Sequence, residues 1–309
     1  MMIRRFFLAL MFTTACTAVC WAQVRIGPKL VEEQQTRREV TQESKQVLSI
    51  AGMDIDSNSQ SRQLMSTKTG TRNGAGQITV TEVLEHLQVS ISAQGMDYAF
   101  DSNSPDKAGT SALDAVLRSI HKATIGRTAV TTYDNENKIV GVAFQPDILA
   151  TLSEESRKQV EDQLSPDALK KEAIQRLDRF PKSAVSKGDT WRVSEKKNLG
   201  SGQVMTFDIE FTYEGTINVD GQELEKITSK VVGVDFALEA NSPLPFTVKN
   251  AKLKATESRG ETMFDNRQGL SVSESDTTRI EGTMDFTINN MDLPVKLDLR
   301  LTTSQKLLK

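Results

Sequence analysis

The sequence contains few of the residues that most enzymes use for catalysis or metal binding. Its 309 residues include two cysteines and two histidines. It has neither a glycine-rich phosphate loop followed by Lys-Ser/Thr nor a Gly-x-Ser-x-Gly motif. A zinc-thiolate site, a nucleotide-binding loop and a hydrolase triad are therefore not indicated. We expect a non-enzymatic protein with no cofactor and no metal.

A basic surplus and long apolar runs are also missing. The 38 Lys and Arg residues against 41 Asp and Glu give a formal charge of −3, so we expect no nucleic-acid partner. No apolar run after the first segment approaches the roughly 18 residues of a membrane-spanning helix, and we expect no transmembrane span in the mature chain. The hydrophobic fraction of 38% is typical of a folded globular protein.

The first 22 residues have the order of a secretory signal peptide. Arg4 and Arg5 precede the apolar run 6–12, and small residues lead to a cleavage position after Ala22. We therefore expect a periplasmic or extracellular protein. Two alternatives are a lipoprotein anchored through Cys16 and an uncleaved anchor. Cleavage after Ala22 removes both cysteines, and the mature chain then has no disulfide.

Residues 23–35 form a polar N-terminal arm, and residues 36–145 form a β-rich lobe with one short helix. The sequence predicts turns at 56–58 and 73–76, a helix over 110–122 and a hairpin over 125–144. Ile78 and Val80 place apolar side chains at even positions, whereas Val83, Leu87, Val89 and Ile91 place them at odd positions. Because a one-residue slip exchanges the two faces of a strand, we expect a β-bulge near Glu82–Val83.

The middle of the chain, residues 146–180, has the pattern of helices. Ser153 precedes two glutamates, and Ser165 precedes Pro166, which are both sequences typical of a helix start. Residues 181–309 then form an antiparallel β lobe, with strict alternation from Met205 to Val219 and a hairpin turn at Asp220–Gly221. The two β-rich segments could form paired lobes around the helical middle.

These patterns predict an α+β, mainly β fold with long curved antiparallel sheets and a few helices packed on one face, like a half-barrel. The apolar side of the longest strand, together with one aromatic and one helix position, supplies candidates for an apolar pocket or core. These are Phe207, Ile209, Phe211, Tyr213, Trp191 and Leu117. The helices 110–122 and 146–179 would close this face.

The titratable residues favour structural roles. His86 is expected to face solvent, and His121 ends a predicted helix, where a cation is favourable. The acid pairs Asp54/Asp56 and Asp97/Asp101 are interpreted as turn residues, because neither pair has the spacing of a calcium loop.

One segment resembles a known family. The residues Phe180-Pro181, Val185 and Gly188-Asp189-Thr190-Trp191 resemble the Phe-Pro…Val…Gly-Asp-x-Trp signature of an uncharacterised family of exported bacterial proteins, a domain of unknown function. Tyr98 with Asp101-Ser102 resembles a second landmark of that family. The resemblance implies export and this order of parts, but no activity.

Two functions are compatible with these observations. The first is binding of a lipid or other apolar ligand on the concave face of a curved sheet. The alternative is an envelope scaffold or protein–protein interaction module whose core is filled by its own side chains.

Overall fold

The computed structural model describes residues 23–104, 111–240, 242–288 and 291–308, so the predicted signal peptide, residues 1–22, lies outside the described residues. The elements are β1 (Gln35–Ile50), β2 (Met53–Thr69), β3 (Ile78–Ala93), β4 (Met96–Asp101), α1 (Ala112–Thr124), β5 (Thr128–Tyr133), β6 (Ile139–Gln145), a 3-10 turn (Leu149–Thr151), α2 (Glu154–Leu164), α3 (Pro166–Asp178), β7 (Thr190–Gly200), β8 (Gln203–Val219), β9 (Gln222–Leu238), β10 (Thr247–Asp265), β11 (Leu270–Ile288) and β12 (Met291–Leu308).

All strands belong to one antiparallel sheet, in the order β6-β5-β3-β2-β1-β12-β11-β10-β9-β8-β7, with β4 paired to β3. Within the described part the sheet is not closed, since β6 and β7 form its two ends. The predicted fold class is confirmed. The hypothesis of two paired lobes is wrong, because β1 pairs with β12 from Arg37–Leu308 to Ile50–Val295 and makes the sheet continuous. The predicted segment boundaries themselves stay a prediction.

One cross-strand row shows which side chains share a face. Directly opposed residues of antiparallel strands point to the same side, so a row can be followed from strand to strand. It runs Phe100, Val89, Ser61, Gln42, Thr303, Asp276, Gly260, Ser229, Phe211 and Trp191. Phe100 contacts His121 of α1, so the helices lie on this side. We call it the inner face.

The sheet folds back on itself between β9 and β10. These two strands pair only over Glu225–Ser229 and Gly260–Phe264. Beyond that point Phe207 of β8 packs in one cluster with Ile280 of β11 and Leu299 of β12. Since β8 lies four strands from β12, this contact requires two parts of the inner face to pack against each other. Burial of these side chains is the main source of stability for such a fold.

The helices join the two ends of the sheet. Ser153 and Ser165 cap α2 and α3 by accepting from backbone amides three residues on, as predicted. Ala173 of α3 packs on Ile139 and Val142 of β6. On the other side, the Asn198 amide of β7 donates to the Asp162 carbonyl of α2 at 3.5 Å. The helical middle therefore contacts both edge strands of the sheet.

Two local predictions need correction. The residues 56–58 do not form a turn but lie inside β2. The bulge in β3 lies at Glu85 rather than at Glu82–Val83, because the pairing shifts between Leu64–His86 and Met65–Leu84. The Glu82 side chain lies on the same face of β3 as Ile78, because its carboxylate forms an ion pair with Arg38 on the inner face.

The N-terminal arm is attached to the body of the protein. Val24 forms a β-bridge with Val185, and Ile26 is 2% exposed. The Lys29 amide donates to the Gly269 carbonyl at 3.2 Å.

Candidate functional site

An open groove of about 920 Å³ lies on the inner face between α1 and the strands β1 to β4. Its floor includes Gln42, Ser61, Val89 and Phe100, which follow one another in the cross-strand row. Residues Arg118, Lys122 and Ile125 line it from the helical side. The volume lies within the range of small-molecule sites. This groove is the candidate functional site.

The wall formed by α1 is held by aromatic and polar contacts. Tyr98 of β4 is buried, and its hydroxyl lies 2.6 Å from Nδ1 of His121. The Arg118 guanidinium lies 5.3 Å from the centre of the Tyr98 ring, donates to the Ala99 carbonyl at 3.0 Å and forms an ion pair with Asp114. These contacts fix α1 against β4, and they position the groove-lining face of the helix.

His121 is not the cation that the end of a helix favours. Burial, together with the nearby Arg118 guanidinium, lowers the pKa of His121 to about 4. Burial also raises the pKa of Tyr98 to about 12. At neutral pH the Tyr98 hydroxyl therefore donates to an uncharged imidazole. His121 therefore acts as a neutral hydrogen-bond acceptor, and its ring packs against the Phe100 ring with the ring centres 5.3 Å apart.

A charged cluster lies farther along the inner face. Arg179, which follows α3, binds both carboxylate oxygens of Glu195 at 2.5 and 2.8 Å, and Glu195 is 2% exposed. Asp276 lies close enough for the Arg179 charge to act on it, but burial outweighs this effect and raises the pKa of the Asp276 carboxyl. The cluster is thus a largely satisfied ion-pair network.

The six candidate pocket or core residues lie in three packed clusters and do not line the groove. Phe207 belongs to the cluster with Ile280, and Ile209 packs between that cluster and the next. Phe211 and Tyr213, which are 8% and 2% exposed, belong to the second cluster, and Trp191 packs against it. Leu117 packs against a third cluster. Contact of any of the six with a ligand stays a prediction.

The signature segment has a structural role at this second cluster. The Trp191 indole donates to the Arg179 carbonyl at 2.8 Å and stacks on Phe211 with ring centres 5.6 Å apart. Gly188 adopts a positive φ of 92°, and the Asp189 carboxylate accepts from the Ser186 amide at 2.8 Å. Gly188 and Asp189 thus form a turn. It starts β7 and directs Trp191 inward.

The other titratable residues of the sequence analysis lie in strands rather than turns. Asp54 is in β2, and Asp97 is in β4, where it accepts from Ser92 at 2.9 Å. His86 lies 2.8 Å from Asp101, which also accepts from Gln88. These hydrogen bonds hold the pKa of the Asp101 carboxyl well below its usual range. The turn interpretation is wrong for Asp54, Asp56 and Asp97, which lie within paired strands. It holds for Asp101, the last residue of β4, because its carboxylate also accepts from the Asn103 amide at 2.9 Å in the turn that follows.

Sequence reasoning missed the groove residues Gln42, Ser61 and Arg118. The available signal was a strand-length segment, residues 53–63, with almost no apolar side. In residues 23–104, 111–240, 242–288 and 291–308, no group of three or more His, Cys, Asp or Glu is placed to bind a metal ion. No helix in the same ranges combines the length and apolar character needed to cross a membrane.

A comparison with protein families identifies one match. The model of a family of unknown function, DUF6263, matches residues 75–229, which make up half of the chain. The chain belongs to this family. The expected membership of an uncharacterised family is thereby confirmed, and the matched range contains β3, α1 and the signature segment. A search of curated proteins finds no match.

Several solved structures are similar at low identity. A lipovitellin structure concerned with lipid–protein interactions is 10% identical, with a TM-score of 0.39, over 91% of this chain and 26% of that chain. This chain therefore spans about a quarter of lipovitellin. A DUF1329 family protein from Desulfovibrio piger is 6% identical, with a TM-score of 0.13, over 84% and 83%. OccK5 (OpdH) from Pseudomonas aeruginosa is 5% identical, with a TM-score of 0.25, over 89% and 99%. TM-scores below 0.5 carry no argument about function.

Proposed function

We propose that this DUF6263 member is an exported, non-enzymatic protein that binds an amphiphilic ligand, such as a lipid, in the groove between α1 and β1–β4. The observation that carries the proposal is the lining of this groove of about 920 Å³. It combines the apolar side chains Val89, Phe100 and Ile125 with the polar side chains Gln42 and Ser61. A ligand with both an apolar and a polar part complements such a surface.

The apolar half of the lining suits a hydrocarbon segment. Val89 and Ile125 are partly buried and pack against the cluster of Leu87, Tyr98 and Phe100. A chain laid over them would remove further apolar surface from water, at about 25 cal/mol per Å². The same packing fixes the shape of this half before a ligand arrives, which reduces the entropic cost of binding.

Export is part of the proposal. The signal-peptide pattern of residues 1–22 supports a periplasmic or extracellular location after cleavage at Ala22, with a lipoprotein anchored through Cys16 as the alternative. The arm that follows supports cleavage at this point, because Val24 already pairs with Val185 and leaves a single residue before the fold begins.

A second candidate function is an envelope scaffold or protein–protein interaction module. The observation in its favour is that Phe207, Phe211 and Tyr213 pack inside filled clusters. An inner face that fills itself in this way has no need of a ligand. The two candidates differ in what occupies the groove when the protein is isolated from its native compartment.

The test is native mass spectrometry of the chain expressed with its own leader and purified from the periplasm. Gln42→Trp places a large side chain in the groove. Gln35→Trp makes the same change on the same strand, but Gln35 is exposed on the opposite face. We expect wild type and Gln35→Trp to carry an extractable lipid in a one-to-one ratio, and Gln42→Trp to be mostly bare. A bare wild-type protein would contradict ligand binding and favour the scaffold.

A further inference from the structure

The strands β1 and β2 are polar on the inner face as well as on the outer face. Three direct cross-strand pairs make up this inner surface: Gln42–Ser61, Ser44–Ser59 and Gln46–Ser57. We call these six residues the polar trough. An antiparallel strand ordinarily turns one apolar face to the core. The middle of β1–β2 departs from that rule, so its inner face has remained open to solvent.

The trough side chains have no partner of their own. Within the described residues, none of the six forms a side-chain hydrogen bond or an ion pair with the protein. Gln42 is exposed, and the other five are half-buried. Gln42 and Ser61 line the groove itself, and the other four continue the same inner-face row along β1 and β2. Hydroxyl and amide groups without internal partners offer both donors and acceptors to a ligand.

The trough is uncharged and lies between apolar borders. The inner-face positions of β1 from Val40 to Leu48 carry no charged side chain, and neither do those of β2 from Ile55 to Met65. On β3 the neighbouring inner residues are Val89 and Ile91, and on β12 they are Leu299 and Leu301. The charged residues of these two strand segments point to the outer face.

We infer that the polar trough binds the head group of the amphiphilic ligand, and that this head group is uncharged and rich in hydroxyls, as in a saccharide or polyol. The inference rests on the proposed function and specifies its ligand class. From Gln42 to Gln46 the trough is roughly 13 Å long at 3.3 Å per residue, enough for about two sugar rings. The hydrocarbon part would lie on the apolar border formed by Val89, Phe100 and Ile125.

Two other ligand classes fit less well. A carboxylate or phosphate head group would have to be held by cations, and the trough contains none. The two cations on the helical wall of the groove are Arg118, which is paired with Asp114, and Lys122, which also has an interaction within the protein. An extended peptide usually binds at the free edge of a sheet through its backbone. The backbone groups of β1 are already paired with β12 and β2, and those of β2 are paired with β1 and β3. Only side chains are therefore available to a ligand here.

The test compares three amphiphiles with the same twelve-carbon chain and different head groups: dodecyl maltoside, laurate and dodecylphosphocholine. Binding to the delipidated mature chain is measured below the micelle-forming concentrations, with maltose as a fourth probe. Because the maltose head group can form several hydrogen bonds with the trough, we expect the maltoside to bind at least about tenfold more tightly than the anionic laurate or the zwitterionic dodecylphosphocholine.

Two variants of β1 test whether the preference for the maltoside depends on the polar trough. Gln42→Leu/Gln46→Leu removes two amides from the trough, and Gln35→Leu on the outer face of the same strand is the control. We expect the double variant to lose about tenfold in maltoside affinity while laurate affinity is unchanged or higher, and the control to match wild type. The order of affinities of the wild-type protein for the four probes tests the head-group assignment even without a variant.

The outcomes separate the two proposals. Equal or tighter binding of laurate or dodecylphosphocholine would overturn the head-group assignment and leave amphiphile binding intact. No binding of any dodecyl probe would overturn the proposed function itself. Maltose binding as tight as dodecyl maltoside would support the trough as a saccharide site and contradict the need for a hydrocarbon chain.

Discussion

The Ser229 hydroxyl of β9 donates a hydrogen bond to the Asp276 carboxylate of β11 at 3.2 Å, directly across the intervening strand β10. The residue between them is Gly260, which pairs with both. A Cβ atom at position 260 would lie 2.0 Å from the Ser229 Oγ and 2.1 Å from the Asp276 Oδ1. Only glycine leaves room for two strands to make this contact over a third.

Gly260→Ala therefore forces Ser229 and Asp276 apart and strains β10. We expect the free energy of unfolding to fall by about 1–3 kcal/mol, the usual effect of overpacking. Urea unfolding measures the change. Gly141→Ala is the control, because position 141 is also in a strand and has nothing within 4 Å of an added Cβ. Equal effects at 260 and 141 would show that the contact across β10 is unimportant.

The Arg179–Glu195 ion pair is expected to be essential for stability. Although burial opposes it, the hydrogen bonds and charge of Glu195 raise the pKa of Arg179 above its usual range. Glu195→Ala leaves the half-buried guanidinium, whose side chain is 35% exposed, without its partner. We expect a loss of about 1–3 kcal/mol in the free energy of unfolding. Glu154→Ala, which breaks an exposed i,i+4 pair with Lys158, should leave the urea midpoint nearly unchanged.

His121 makes stability depend on pH. In the unfolded chain a histidine has a pKa near 6.5, whereas in the folded chain the pKa of His121 is about 4. The unfolded state therefore binds the proton first as the pH falls. Stability is complete above about pH 6.5 and is lost progressively toward pH 4, by about 3 kcal/mol in total.

Two measurements check this. An NMR titration should show His121 changing charge near pH 4 in the folded protein. His121→Gln should flatten the loss of stability between pH 6.5 and pH 4, since no imidazole remains to be protonated. A His121 midpoint near 6.5 would mean that the imidazole is not buried against Tyr98.

A substitution at Phe211 should affect core packing without affecting ligand binding. It is 8% exposed and stacks on Trp191, away from the groove. Phe211→Ala should lower the free energy of unfolding by about 3–5 kcal/mol and leave the affinity for dodecyl maltoside unchanged. Val219→Ala, at an exposed position of the same strand, should alter neither quantity. A loss of affinity without a loss of stability would place Phe211 at the ligand.

Local signals predicted much of the secondary structure. Asp220 and Gly221 adopt φ values of 50° and 81° in the turn between β8 and β9, where the Asp-Gly pair predicted a hairpin. Ser153 and Ser165 cap their helices, and the 110–122 pattern corresponds to α1. These features succeed because turns, caps and amphipathic stripes depend on residues that are close in sequence.

The same local reasoning failed where both faces of a strand are polar. Residues 56–58 have turn composition, yet they belong to β2 and bring Ser57 into the polar trough. Nothing within that segment distinguishes a solvated strand from a loop. The pairing of β2 with β1 and β3 over almost its whole length holds it extended.

By itself, the sequence determined the mainly β class, the helical middle and the alternation that buries Phe207, Phe211 and Tyr213, since each follows from periodicity along one segment. The tertiary structure alone decided that β1 pairs with β12 in one continuous sheet. It also decided that Ser229 meets Asp276 across Gly260, and that Gln42 and Ser61 share a groove with α1. These relations join residues far apart in the chain, and the physical reason is that strand order and sheet curvature are set by packing of the whole inner face.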